Sequence, residues 1–192
     1  MNKEEIIQQA IAYAEQMFAG NADGHDAQHT LRVYQNAQRI LETNPAADRF
    51  VTLLAALLHD VDDHKLFHTE HNENARAFLR RYRLPEETVS QICEAVNAVS
   101  FSMNKGKTPD TLEGKIVQDA DRLDALGAIG IARTFAYGGR AGRSLDDSIQ
   151  HFHDKLLLLK DQMHTDAAKQ IAARRHSFLT GFLEEFQQET GT

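Results

Sequence analysis

Two short segments carry the residues most able to do chemistry: Leu57-Leu58-His59-Asp60-Val61-Asp62-Asp63 and Gln118-Asp119-Ala120-Asp121-Arg122-Leu123-Asp124. Each sets ionisable side chains among apolar neighbours. That implies burial, and a buried charge costs several kcal/mol unless it is paired or holds a metal. Upstream, His29 shares an apolar stripe with Val33 and Ile40 and adds a second imidazole. The order along the chain is then His, His-Asp, Asp. Two imidazoles and two carboxylates suit a divalent ion such as Mn²⁺ and leave coordination positions for water and a substrate. The chemistry expected is metal-assisted hydrolysis.

A His-Asp dipeptide is weak evidence alone, and it occurs at His25-Asp26, His59-Asp60 and His153-Asp154. Context separates the three, because His59-Asp60 ends the most hydrophobic segment of the chain. In the second segment Asp121 shares a helical face with Val117, Asp124 and Ala128, since steps of three and four residues stack. Asp119 is the rival for the last ligand; two residues away, it lies on the order of 200° round a helix.

The elements that must position these groups read almost entirely at helical period. Ile7, Ala10, Ile11, Ala14 and Phe18 mark an opening helix ended by Gly20, and a second starts near Asp26. Asn44 as cap and Pro45 at the first position introduce a third, near Ala46 to Asp60 and apolar almost all round, as a central helix is. Beyond a polar stretch from Asp62 to Glu70 come a fourth helix (Ala75, Phe78, Leu79, Tyr82) and a fifth opened by Leu84-Pro85-Glu86-Glu87. The stretch Ser102 to Asp110 reads as a loop, and a sixth helix as running from about Leu112 to Phe135. Gly138 to Arg143 forms a flexible glycine-rich loop in this reading. Ile149, Phe152, Leu156, Leu159 and Met163 mark a seventh helix, and Thr165-Asp166 caps an eighth with the stripe Ile171, Phe178, Leu179, Phe182 and Phe186. There is no strand alternation, repeat or linker. The expectation is one all-α domain, residues 1–192, of about eight helices with the site in its core.

Composition sets outer limits. With 192 residues, 42% hydrophobic and 26% charged, the chain can bury a sizeable core. A net charge of −7 argues against binding polymeric nucleic acid, which needs a broad basic surface. The single cysteine, Cys93, sits in an apolar stripe and reads as an inert core thiol; it permits no internal disulfide, in keeping with a reducing compartment. Neither a signal-peptide pattern nor a membrane-length apolar run is visible, so a cytoplasmic location is expected, without membrane partners and with no oligomer indicated.

The His29, His59-Asp60, Asp121 order resembles the HD-domain metal-dependent phosphohydrolase superfamily. Two longer blocks, GKIVQDADRLDALGAIGIARTFAYGG (Gly114 to Gly139) and HFHDKLLLLKDQMHT (His151 to Thr165), are similar to a bacterial branch of small single-domain HD proteins. That branch includes a manganese-dependent nucleoside triphosphate pyrophosphohydrolase. The resemblance implies an all-helical fold and one divalent metal, Mn²⁺ favoured and Mg²⁺ possible, held by His29, His59, Asp60 and Asp121. Asp121 is preferred to Asp119 partly because the superfamily's last Asp usually sits in an Ala-Asp-Arg context. Asp63 matches the position where related enzymes carry an acidic acid/base residue. Asp62 reads as a solvated carboxylate, and Asp124 as a group that orients a histidine ligand or Arg122.

A phosphorylated substrate needs cations. Candidates are Arg32, Lys65, Arg122, Arg133 and Lys155, with Arg140 and Arg143 in the glycine-rich loop as a lid over a nucleotide. His64, His68 and His71 raise a second metal, which their crowding in one polar stretch disfavours; His25 and Asp26 would lie at the mouth of the site. Gly127 and Gly130, each about 1 kcal/mol less favourable than Ala in a helix, point to close helix packing or ligand approach. The leading expectation is hydrolysis of a nucleoside triphosphate to monophosphate and pyrophosphate. Alternatives are a nucleoside monophosphate phosphatase, a guanosine tetraphosphate hydrolase, or a non-catalytic nucleotide-sensing module.

Overall fold

The computed structural model describes residues 2–20, 26–64, 66–99 and 107–191. Every regular element among them is helical, and they divide into two compact units, Met1–Asp121 and Arg122–Thr192.

The first unit is built on α1 (Lys3–Met17), α2 (Ala27–Leu41), α3 (Arg49–Leu58), α4 (Glu73–Arg80), α5 (Glu86–Asn97) and most of α6 (Leu112–Asp124). As its all-round apolar sequence requires, α3 is central: Leu53, Leu54, Leu57 and Leu58 are fully buried, and the helix packs on α1, α2 and α5. Its cap is Asp48, whose carboxylate accepts from the Phe50 and Val51 amides at 2.8 and 3.1 Å. The expected Asn44-Pro45 start is therefore corrected. Asn44 instead donates its side-chain amide to the Ile40 carbonyl at the end of α2, and the helix begins only where a carboxylate can take its first amides.

Asp62 is likewise not a solvated carboxylate. Its two oxygens accept from the Asn74 and Ala75 amides, at 2.9 and 3.0 Å, across 12 and 13 residues. These are orphan amides of α4, whose own cap residue Asn72 supplies no side-chain bond. His71 and Asn72 enter α4 at φ 54° and 58°, a left-handed conformation uncommon for residues other than glycine.

In the second unit lie α7 (Gly127–Arg140), α8 (Leu145–Asp154), a 3₁₀ helix (Leu156–Gln162) and α9 (Asp166–Thr190). Phe152 is buried in the cluster Phe135, Phe152, Phe182, with ring centroids about 6 Å apart. The expected single helix from Leu112 to Phe135 is broken. Leu126 is extended and Gly127 sits at φ 73°, so α6 ends and α7 starts afresh. A Cβ on Gly130 would stand 2.2 Å from the Ala125 carbonyl oxygen, so any other residue at that position must displace backbone. Carbonyls freed at the end of α6 find arginines: Arg175 donates to Leu123 O, and Arg133 lies 3.5 Å from Asp124 O.

Three further expectations change in this unit. Gly138 to Arg140 belong to α7 rather than to a glycine-rich loop, and Gly138 abuts Ser148 Oγ, which an added Cβ would meet at 2.5 Å. The single seventh helix is two elements, because Lys155 at φ −138° interrupts α8 and the chain resumes as 3₁₀. Phe178, assigned to the core stripe of the last helix, is 59% exposed, while Leu179 and Leu183 are buried.

Candidate metal centre

Three helices deliver the charged groups. Asp26 caps α2, its carboxylate accepting from the His29 amide at 2.7 Å, which fixes His29 in the first turn. His59 follows α3 directly and Asp60 follows it in the ensuing turn. Asp121 comes from α6, which is tied to the rest of the first unit by Asn36 Nδ2 donating to Ala120 O at 3.0 Å and by Gln118 Nε2 donating to Ala98 O at 2.6 Å.

Four side-chain atoms converge. His29 Nε2 lies 3.3 Å from His59 Nε2, 3.5 Å from Asp60 Oδ2 and 3.3 Å from Asp121 Oδ1. His59 Nε2 lies 3.2 Å from Asp60 Oδ2 and 4.0 Å from Asp121 Oδ1. Ligands held about 2.1 Å from one ion stand roughly 3.0 Å apart when cis on an octahedron and roughly 3.4 Å apart on a tetrahedron. Four of the five spacings, 3.2–3.5 Å, lie near these distances, and the fifth, between His59 Nε2 and Asp121 Oδ1, is longer at 4.0 Å.

The donor set fits as well. His59 Nδ1 faces the Ala56 carbonyl at 2.9 Å. A carbonyl only accepts, so the proton of a neutral His59 sits on Nδ1 and its Nε2 presents a lone pair to the cluster. The imidazole side chains are 3% and 1% exposed and the Asp60 side chain 11%, whereas Asp121 is 28% exposed, so solvent reaches the cluster on its Asp121 side.

Electrostatics point the same way. Burial pushes the His59 imidazolium down, yet the Asp60 carboxylate outweighs it and the His59 pKa is raised. Burial likewise opposes the charged form of Asp121, but the His29 hydrogen bond and charge win and hold it below the ordinary value. A positive charge is favoured at this spot, whether a proton or a metal supplies it. His29, His59 and Asp121 form a group able to hold a metal ion.

The other expected residues are placed unevenly. Asp63 closes the turn after Asp60, its amide donating to Asp60 O at 3.0 Å, and its largely buried carboxylate lies 3.9 Å from His64 Nδ1. Asp119 and Asp124 are both buried. Asp124 accepts from Arg133 at 2.7 Å. Arg122 is itself buried, donating to Gln162 O at 2.6 Å and lying 3.4 Å from His164 Nε2. Arg32 and Lys155 are half-buried; Arg140 and Arg143 are exposed, with Arg143 over the Tyr137 ring at 5.0 Å. Lys65 and His25 lie outside the described residues. The sequence reading missed Asp62 and Asn74, which join the turn bearing Asp60 to α4. Their one visible signal was an unexplained acid directly after Val61.

The HD domain family matches residues 26–126, more than half of the chain and across the division between the two units. The chain belongs to the HD domain family. YpgQ of Bacillus subtilis (strain 168) is 36% identical over 198 residues, covering 98% of this chain and 96% of that protein. The crystal structure of B. subtilis YpgQ in complex with ADP superposes with a TM-score of 0.84 at 33% identity, covering 98% and 97% of the two chains. An HD-superfamily hydrolase from Bacillus thuringiensis matches over the whole of both chains at 39% identity and a TM-score of 0.83. The fold is thus that of an HD-superfamily hydrolase, all-helical among the described residues.

Proposed function

We propose that the chain is a divalent-metal-dependent phosphohydrolase that converts nucleoside triphosphates to monophosphate and pyrophosphate. The observation that carries this reading is the buried cluster in which His29 Nε2 and His59 Nε2 lie 3.2–4.0 Å from each other, from Asp60 Oδ2 and from Asp121 Oδ1. The ADP complex of YpgQ supports a nucleotide as the ligand. In this reading His29, His59, Asp60 and Asp121 hold the ion, with Mn²⁺ preferred because imidazole suits it better than it suits the harder Mg²⁺. When bound, such an ion lowers the pKa of water and polarises a phosphoryl oxygen.

The chain's own groups do the rest. The Ala56 carbonyl orients His59, and Asp26 sets the first turn of α2 that bears His29. Asp63, one turn past Asp60, takes the proton of the attacking water. Water adds to the α-phosphorus, the bond between that phosphorus and the α–β bridging oxygen breaks, and pyrophosphate leaves. Substrate phosphates are met by cationic side chains drawn from Arg32, Lys65, Arg140, Arg143 and Lys155. Arg122 donates to Gln162 O and Arg133 to Asp124.

A panel of nucleoside mono-, di- and triphosphates assayed with Mn²⁺, with Mg²⁺ and with a chelator tests the proposal. Triphosphate turnover that is fastest with Mn²⁺ and abolished by the chelator is expected. Monophosphates outpacing triphosphates would move the assignment to a nucleotidase, and chelator-resistant turnover would remove the metal.

A further inference from the structure

Asp60 and Asp63, a proposed metal ligand and the proposed proton acceptor, are the two ends of a single turn, since the Asp63 amide donates to the Asp60 carbonyl. A turn this short could rock on the end of α3. What stops it comes from 12–13 residues away in sequence. Asn74 Nδ2 donates to the Val61 carbonyl at 2.7 Å, while Asp62 Oδ1 and Oδ2 accept from the amides of Asn74 and Ala75 at 2.9 and 3.0 Å. Three hydrogen bonds therefore join the two central residues of the turn, Val61 and Asp62, to the first turn of α4. None of them is made by Asp60 or Asp63 itself.

The geometry of α4's entry agrees. Helices are ordinarily capped by the residue that precedes them, yet Asn72 offers its side chain to Asn97 Oδ1, at 2.9 Å, instead of to α4. His71 and Asn72 both occupy the left-handed region. Backbone strain of this kind persists only where surrounding bonds over-determine it, and it gathers at functional sites. Leaving α4's amides uncapped locally makes them available to a carboxylate from the turn that bears Asp60. A helix N-terminus also favours a negative charge beside it, which suits Asp62 as the ionised partner.

We infer that Asp62 and Asn74 form a clamp that positions Asp60 and Asp63 for metal binding and proton transfer, so that Asp62 is a positioning residue rather than a structural cap alone. This rests on the metal-centre reading above. The clamp acts through hydrogen-bond count, so a graded response follows. Asp62→Asn keeps one acceptor oxygen of two, whereas Asp62→Ala keeps none.

The test is a Mn²⁺ titration of the full chain, following free Mn²⁺ by electron paramagnetic resonance, on Asp62→Asn, Asp62→Ala, Asn74→Ala and the double variant. His59→Ala marks the site, and Ser144→Ala is a control that removes a comparable cap from α8. Expected is a Kd for Mn²⁺ weakened by about 10-fold or more in Asp62→Ala, the range typical of groups that orient metal ligands. Asp62→Asn should fall between it and the wild type, and the double variant should be little worse than either single one, as one unit requires. Ser144→Ala should keep wild-type affinity. Should Asp62→Ala fail to fold, Asp62→Asn and Asn74→Ala decide by the same criterion. Wild-type affinity in the folded clamp variants while His59→Ala loses the metal would overturn the clamp alone. Metal retained in His59→Ala would overturn the metal-centre reading and the clamp with it.

Discussion

At the scale of single residues, the site is a problem of charge in a dry place. His29 and His59 are almost wholly buried beside two carboxylates, and the raised pKa of His59 and lowered pKa of Asp121 say that the spot demands a positive charge. The sign of the pH dependence follows. Without metal, a His59 pKa above its ordinary 6.5 contributes stability that is full below that value and is lost as pH rises through the folded pKa. A metal needs the neutral ring, so its binding strengthens as the proton leaves. The rise in Tm on adding Mn²⁺ should therefore be larger near about pH 8 than near about pH 6, either side of the usual histidine range; calorimetry showing an equal rise at both would contradict the shared site. Asp63→Asn should keep the metal but lower kcat by roughly 10²–10⁴-fold, as removal of a general acid/base does, and metal-loaded protein with near wild-type turnover would reduce Asp63 to a turn residue. Proximity of these groups was legible because ionisable side chains stood inside apolar runs. The role of Asp62 was not, because a carboxylate that caps a helix 12 residues on has the same local pattern as a solvated one.

Helices, the next scale up, were legible wherever hydrophobic period alone decides. The α3 segment, apolar on every side, is central, and Thr165 caps α9, its hydroxyl accepting from the Ala168 amide at 3.3 Å. What period could not reveal was the break after α6, because the apolar spacing continues through Leu126 and Gly127 while the backbone turns. The break lies in the extended Leu126 and the positive φ of Gly127, and it brings the Ala125 carbonyl close against Gly130. Two glycines in helices now make opposite predictions. Gly181→Ala on α9 meets nothing within 4 Å and should stabilise the protein by up to about 1 kcal/mol, the ordinary helix preference for alanine. Gly130→Ala must displace backbone and should destabilise by roughly 1–3 kcal/mol, as overpacking does. Denaturant midpoints decide, and a stabilised Gly130→Ala would mean that the α6–α7 turn is not held as described. Within the Gly138 to Arg143 segment, Gly138 to Arg140 differ from the expected loop, while Ala141 to Arg143 lie beyond the helix. Glycine content suggested a loop, but Gly138 lies in α7, where its lack of a Cβ leaves room for Ser148 Oγ.

Taken as a whole molecule, the chain has a net charge of −7, and none of its described helices is long and apolar enough to cross a membrane. So acidic a chain lacks the broad basic surface that a nucleic-acid polymer needs. The HD domain family was legible only as a resemblance, carried by the order His29, His59-Asp60, Asp121 and by two longer blocks. The division into Met1–Asp121 and Arg122–Thr192 was not, because it falls inside α6, where no change of composition or linker marks it. Which phosphate bond breaks is the central claim, and the products report it directly. ³¹P nuclear magnetic resonance of a nucleoside triphosphate incubated with the Mn²⁺-loaded protein should show a monophosphate and a pyrophosphate signal growing together in equal amounts, with neither appearing for His59→Ala. Orthophosphate with a nucleoside diphosphate, from the same protein under the same conditions, would contradict it.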